Sequence, residues 1–204
     1  MLGRMMKAMH GPVYRRRLEV LSAMIAERLR ENDRVLDVGC GGGALGTAIL
    51  AHPKCPRGVT VTGLERAVRG GEPIPVVAYD GIRMPLDDKS FDVVIVADVL
   101  HHEEQPERLL AEVRRVCRGH LFFKDHQICG VLGLQRISLI DWAANAPYGV
   151  PCLYRYHRPA EWAERWSRAG FVPEHEWRSI DLYPAGFNRA FGRRLQYAAW
   201  LRAT

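Results

Sequence analysis

The run Val35-Leu36-Asp37-Val38-Gly39-Cys40-Gly41-Gly42-Gly43-Ala44-Leu45-Gly46 constrains this chain more than any other segment. A short apolar stretch enters a cluster of glycines and a helical pattern leaves it. Glycines carry no Cβ, so a ligand's polar groups can approach bare backbone amides at the opening of the helix. A buried strand feeding a helix in this way is a unit of open α/β sheets, which bind ligands at the carboxyl ends of their strands. Gly41-x-Gly43-x-x-Gly46 also satisfies the dinucleotide pattern, so the glycines alone leave the ligand open.

The flanking sequence repeats the alternation. Leu18, Leu21, Ile25 and Leu29 recur at helical spacing and predict a covering helix over residues 13–30, with Arg15, Arg16 and Arg17 near its start. Strands are expected at residues 34–38, 59–64, 74–79, 91–97 and 120–124, and helices at 44–51 and 106–117. Strand and helix alternating at this pitch predict a parallel, doubly wound α/β sheet. Beyond it, residues 128–144 and 159–169 read as helices and 171–182 as a strand. Leu195, Tyr197, Ala199 and Leu201 alternate as a strand does, although the Ala and Gln around them favour helix. At 204 residues and 48% apolar composition the chain supports one core, and a single domain over residues 1–204 is expected.

Composition excludes other classes. Apolar runs such as 93–100 are interrupted long before the roughly 20 residues of a membrane helix. The basic start, with Arg4 and Lys7, develops no apolar signal region, so a cytoplasmic chain is expected. The 5 cysteines form no C-x-x-C pair, and neither a disulfide framework nor a metal site is expected. The net charge of +6 comes from scattered arginines, which favours a solvated surface over nucleic-acid binding.

Three acids give the glycine loop its meaning. Asp37 stands two residues before Gly39, where its charge would repel a pyrophosphate and suits a ligand with a cationic part. Glu65 ends the second strand, placed to accept two hydrogen bonds from ribose hydroxyls. Asp80 follows the third strand, placed to accept from an exocyclic amine. From residue 35 to about 125 the motifs resemble those of class I S-adenosylmethionine-dependent methyltransferases of the small-molecule, type 11-like branch. They include Asp37-x-Gly39-x-Gly41, the acidic strand end, the block from Asp80 through Pro85-Leu86-x-Asp88-x-Ser90-Phe91-Asp92-Val93-Val94, and Asp98-Val99-Leu100-His101-His102.

The resemblance implies a three-layer, Rossmann-like αβα sandwich with strand order 3-2-1-4-5-7-6 and the last strand antiparallel. It implies S-adenosyl-L-methionine as cofactor and S-adenosyl-L-homocysteine as product. Gly39 and Gly41 would lie on the methionyl part, Asp37 on its ammonium side, Glu65 on the ribose, Asp80, Gly81 and Ile82 on the adenine, with Ala97 also at the cofactor. The link 51–58, with two prolines, sets Glu65 farther along than usual.

Methyl transfer needs a base only when the nucleophile must lose a proton, and histidine is the usual supplier. His101 and His102 follow the fourth strand, and His126 follows the fifth beside Asp125, which could orient its imidazole. His126 is the leading candidate base, with an oxygen acceptor expected. Residues 128–156 interrupt the alternation where this superfamily commonly builds a substrate lid. There Trp142, Tyr148, Tyr154 and Tyr156, with Asp125, are the expected substrate contacts, while Arg136 and Arg155 read as surface charge.

Two other readings stand beside this one. A nucleic-acid (RNA) methyltransferase would suit the basic balance, but exocyclic-amine enzymes carry Asn/Asp-Pro-Pro-aromatic where this chain has Ala97-Asp98-Val99-Leu100. A non-catalytic cofactor-binding protein would keep the same loop. A nicotinamide enzyme would leave Asp37 and the Asp80 block without a role. The acceptor molecule and the oligomeric state are not legible.

Overall fold

The computed structural model describes residues 2–145 and 152–204, with side chains from residue 11 onward. Seven strands form one sheet: β1 (Arg34–Val38), β2 (Thr60–Glu65), β3 (Val76–Ala78), β4 (Phe91–Ala97), β5 (Cys117–His126), β6 (Phe171–Trp177) and β7 (Gln196–Ala203). Their order is β3-β2-β1-β4-β5-β7-β6. Pairs from β3 to β5 are parallel, and β7 runs antiparallel to both β5 and β6. The sheet order and the single antiparallel strand are those expected from the sequence.

The helices form two outer layers because successive strand residues face opposite ways. Val35, Val93, Ile95, Phe122, Ala198 and Trp200 face one side, with Leu21, Ile25 and Leu29 and with Leu45 and Ile49 of α2 (Ala44–Leu50). The first three belong to α1 (Leu2–Ala26) and the turn after it. Leu36, Val38, Val94, Val96, Leu121, Phe123, Tyr197, Ala199 and Leu201 face the other. There they meet Leu109, Leu110 and Val113 of α3 (Pro106–Val116) and Trp162 and Trp166 of α5 (Pro159–Arg168). Both tryptophans are fully buried, and Trp162 stacks on Tyr197 with ring centroids 5.0 Å apart. The remaining helices, α4 (Gly133–Asn145) and α6 (Ala185–Phe191), flank the carboxyl end of β5 and the start of β7.

Several boundaries differ from the sequence expectation. The first helix starts at Leu2, passes through Gly11 and Pro12, and ends at Ala26 rather than residue 30. β3 is cut to three residues because Pro75 has no N–H for the ladder. β5 runs from Cys117 to His126, so Asp125 and His126 lie inside the ladder opposite Tyr197 and Gln196. β6 stops at Trp177, and α6 occupies a stretch where no helix was expected. β7 begins at Gln196 and is a strand despite its Ala and Gln, because β5 and β6 supply ladder partners on both of its edges. α4 begins only at Gly133, after a turn in which Gly130 has φ 75°.

Strand register places the functional edge. Val38 lies opposite Leu64 on one side and Val96 on the other, so Gly39, Glu65 and Ala97 emerge together. Ala97 in turn pairs with Lys124, which brings Asp98 beside Asp125 and His126.

Candidate functional site

At the β1 end, Gly39, Gly41 and Gly43 all have positive φ, the left-handed region that suits glycine. A Cβ at Gly39 would come within 2.6 Å of Val99 Cγ2, whereas one at Gly41 would meet no atom within 4 Å. The loop is thus packed from beneath and open above. Glu65 turns back toward it: Oε2 accepts the Gly41 N–H at 2.8 Å and Oε1 accepts the Arg66 N–H at 2.8 Å. Asp80 Oδ1 accepts the N–H groups of Ile82 and Arg83 at 2.7 and 3.0 Å, which shapes the turn through Gly81 and holds its carboxyl below the usual range. Ile82 is half exposed on the same edge.

Asp37 is the anomaly of this edge. Its side chain is buried, and Oδ2 has no hydrogen-bond partner among the described residues. Burial pushes its carboxyl up to about 7, with Arg17 opposing and the Glu65 charge adding to the rise. An orphaned buried acid under an open glycine loop suits a cationic ligand group, and the ammonium of a methionyl chain has that chemistry. The donor set fits the chemistry of S-adenosylmethionine: Asp37 would suit the ammonium, the bare loop at Gly39 and Gly41 the methionyl chain, Glu65 hydroxyls and the Asp80 turn the base.

Beside Ala97 opens a cavity of about 590 Å³. Its wall is apolar at Val13, Ile140 and Phe187, and ionisable at Arg17, Asp98, His101, His102, His126 and Asp141. The 3-10 turn Leu100–His102 after β4 presents the histidine pair. His101 Nδ1 lies 2.5 Å from Asp125 Oδ1, which also accepts the His126 backbone N–H at 2.7 Å. His101 Nε2 and His102 Nε2 face Asp141 Oδ1 at 3.6 and 3.8 Å. Asp141 is fixed from behind: Tyr156 donates its hydroxyl to Oδ2 at 2.5 Å and the Asn145 amide donates to Oδ1 at 2.6 Å. Burial alone would lower His101, yet the carboxylates at its two nitrogens, Asp125 foremost, raise it to about 10. Across the cavity, Asp98 receives Lys124 Nζ at 2.5 Å and Arg17 at 2.9 Å.

His126 differs from the expected base. Asp125 orients His101 and the His126 backbone rather than the His126 ring. Gln196 Nε2 donates both to the Phe191 carbonyl at 3.2 Å and to His126 Nδ1 at 3.1 Å. That backbone acceptor fixes the amide orientation, so Nδ1 accepts and the ring proton sits on Nε2, 3.8 Å from Asp98 Oδ1. Burial first and Lys124 second press the imidazole down to about 3. At neutral pH it is an uncharged donor toward the cavity.

The lid aromatics divide. Tyr156 is buried in the Asp141 network, while Trp142 and Tyr154 are about half exposed and do not line the cavity. Tyr148 lies outside the described residues. The sequence reading missed Asp98, Lys124, Asp141 and Arg17 as site residues. A signal existed for three: Lys124 in the apolar strand 121–124, Asp141 in the apolar helix 137–144, and Asp98 at a strand end. Arg17 had no local signal, because only tertiary packing brings the first helix over the end of β4.

The sheet order, the glycine loop with its buried acid and the acidic end of β2 define a Rossmann-like nucleotide-cofactor enzyme. A family model described as "Methyltransferase domain" matches residues 11–176, and the chain belongs to that family, as a class I S-adenosylmethionine-dependent methyltransferase. Over 151 residues it is 28% identical to a ubiquinone biosynthesis O-methyltransferase of Vibrio atlanticus, a match covering 63% of this chain and 58% of that protein. It is 30% identical over 139 residues to a botryococcene C-methyltransferase of Botryococcus braunii, covering 62% and 34% respectively. The chain thus spans little more than half the length of the Vibrio relative. A SAM-dependent methyltransferase of Aquifex aeolicus shares the fold, with a TM-score of 0.66 at 14% identity and coverage of 99% and 98%.

Proposed function

We propose that the chain transfers the methyl group to a hydroxyl oxygen of a small, flat, phenolic acceptor held in the cavity beside Ala97. The observation that carries this reading is the cavity wall, apolar at Val13, Ile140 and Phe187 and ionisable at His101, His102, Asp98 and Asp141. The apolar part suits an aromatic ring, and a polar cluster is of use to an acceptor that must shed a proton. The name of the Vibrio relative, an O-methyltransferase, supports the same choice.

When bound, the sulfonium supplies an electrophilic methyl group; transfer forms a C–O bond, breaks a C–S bond and leaves a thioether and one proton. Asp37, the Gly39–Gly41 backbone, Glu65 and the Asp80 turn hold the nucleoside and amino-acid ends. Tyr156 and Asn145 fix Asp141, Asp125 fixes His101, and His126 Nε2–H donates into the cavity near Asp98. Positioning within such a site supplies much of the acceleration of a displacement reaction. The proposal keeps the reaction in the cytoplasm, where the chain's thiols stay reduced.

The test is product analysis by mass spectrometry after incubating the chain with S-adenosylmethionine and a panel of catechols, phenols, aromatic amines and short RNAs. An O-methyl product from a catechol or phenol is expected. Methylation confined to the amines or the RNAs would refute the reading.

A further inference from the structure

Two histidines consecutive in sequence and an aspartate from the opposing helix bring three ligand atoms to one point of the cavity wall. His101, His102 and Asp141 each offer one ligand atom that lies within 4.8 Å of those of the other two. The distances to Asp141 Oδ1, 3.6 and 3.8 Å, are too long for hydrogen bonds. They match atoms that share an ion: two ligands each about 2.1 Å from one metal are about 3.4 Å apart in tetrahedral geometry. A few tenths of an ångström separate the observed arrangement from that value.

The surroundings are those that metal ligands require. Asp125 accepts from Nδ1 of His101 at 2.5 Å and so turns Nε2 toward Asp141, where an arriving ion would take the place of the Nε2 proton, as in carboxylate–histidine–metal triads. Tyr156 donates to Asp141 Oδ2, Asn145 donates to Oδ1 and the Cys152 thiol also reaches this carboxylate, which together hold Oδ1 facing the two histidines. His101 and Asp141 are buried, and His102 stands at the cavity, so a fourth position opens onto the space assigned to the acceptor. Among the described residues, charged and titratable groups facing the cluster include Asp125 from β5, the Cys152 thiol beside Asp141, Arg69 on the cavity wall and, farther across, the Asp98–Lys124–Arg17 group.

We propose that His101, His102 and Asp141 form a binding site for a divalent transition-metal ion, with Asp125 and Tyr156 as positioning residues. Two imidazoles and one carboxylate favour Zn²⁺, Fe²⁺, Co²⁺ or Mn²⁺ over Mg²⁺ and Ca²⁺, which prefer all-oxygen shells. Resting on the hydroxyl acceptor proposed above, the ion gives that oxygen a place to bind. An ion held by His101, His102 and Asp141 would lower the pKa of an acceptor hydroxyl at the fourth position, so that the hydroxyl would give its proton to solvent as it takes the methyl group. This supplies the deprotonation that His126 is not arranged to perform. The sequence spacing alone gave no such pattern, because Asp141 lies about forty residues beyond the histidines on a different element.

The test uses the full chain, stripped of metal by a chelator and titrated with Co²⁺ while the visible absorption is followed. One Co²⁺ per chain, with d–d bands that disappear when Zn²⁺ is added, is the expected result. His102→Gln and Asp141→Asn should each weaken Co²⁺ binding at least tenfold. Tyr156→Phe should weaken it about 10- to 100-fold and shift the bands, the range for loss of an outer hydrogen-bond partner. His120→Gln, on the far part of β5 beside Glu174, should bind as the parent does. If Asp141→Asn does not fold, His102→Gln decides, since its ring is partly exposed. No Co²⁺ band at millimolar ion, or unchanged affinity in His102→Gln, overturns the proposal. Calorimetric binding of S-adenosylhomocysteine to the same samples separates the two readings. Cofactor binding without metal binding sinks only the ion site, and metal binding without cofactor binding sinks only the methyltransferase chemistry.

Discussion

Replacing Asp37 by Asn tests how the buried acid couples proton, fold and cofactor. In the free protein burial raises its carboxyl from 3.8 to about 7. A folded value above the unfolded one means that Asp37's contribution to stability is fully present below about pH 3.8 and is lost as pH rises through about 7. That gap corresponds to roughly 4 kcal/mol as an upper bound, so Asp37→Asn should gain stability relative to the parent between pH 4 and 7. Binding of an ammonium reverses the balance, because the charged form is then the favoured one. If only charged Asp37 binds, about one molecule in a hundred is competent at pH 5 and half at pH 7, so the dissociation constant for S-adenosylhomocysteine should fall about 50-fold over that range. Calorimetry at pH 6 in buffers of different ionisation enthalpy should show about 0.9 proton released per ligand bound, by the same arithmetic. Asp37→Asn should abolish both the slope and the proton release and bind more weakly at pH 7 by about 1.5 to 3 kcal/mol. A parent affinity that is flat from pH 5 to 7, or a slope that survives in Asp37→Asn, refutes the reasoning.

Glu65→Ala should weaken S-adenosylhomocysteine by about 1 to 3 kcal/mol through lost charge-assisted bonds, read by the same calorimetry; unchanged affinity would move the ribose contact elsewhere. His126→Gln should lower kcat by less than the roughly 10²-fold minimum for a lost general base. Its kcat–pH profile should match the parent's between pH 5 and 8, since the ring is held neutral down to about 3. Trp162→Ala removes a fully buried ring stacked on Trp166 and Tyr197, and denaturant unfolding should show a loss of about 3 to 5 kcal/mol.

What the sequence disclosed and what it hid follow from the range over which each signal acts. The parallel half of the sheet was legible because each strand carries its own apolar run and each loop its own glycine or acid, as at 35–46 and 60–65. The strand at 196–203 stood between two readings, since a ladder with partners on both edges is a property of the assembled sheet. The cofactor edge was legible for the same local reason: Asp37, Gly39 and Gly41 lie within one loop. The cavity was legible at His101, His102 and His126 and not beyond them, because Arg17, Asp98 and Asp141 come from separate parts of the chain and meet only through register and helix packing. Asp125, adjacent to His126 in sequence, faces His101 instead, because neighbours on a strand point to opposite faces. The long β5 explains why: it extends through His126, so residues expected in a loop obey the strand's alternation.

A crystal structure of the S-adenosylhomocysteine complex tests the central claim most directly. The account predicts the ammonium on Asp37 Oδ2, the ribose hydroxyls on Glu65 with its bond to the Gly41 N–H released, and the thioether sulfur opening past Ala97 into the cavity lined by His101, His102 and Asp141. A sulfur directed away from that cavity, or a ligand whose ammonium makes no contact with Asp37, would contradict it.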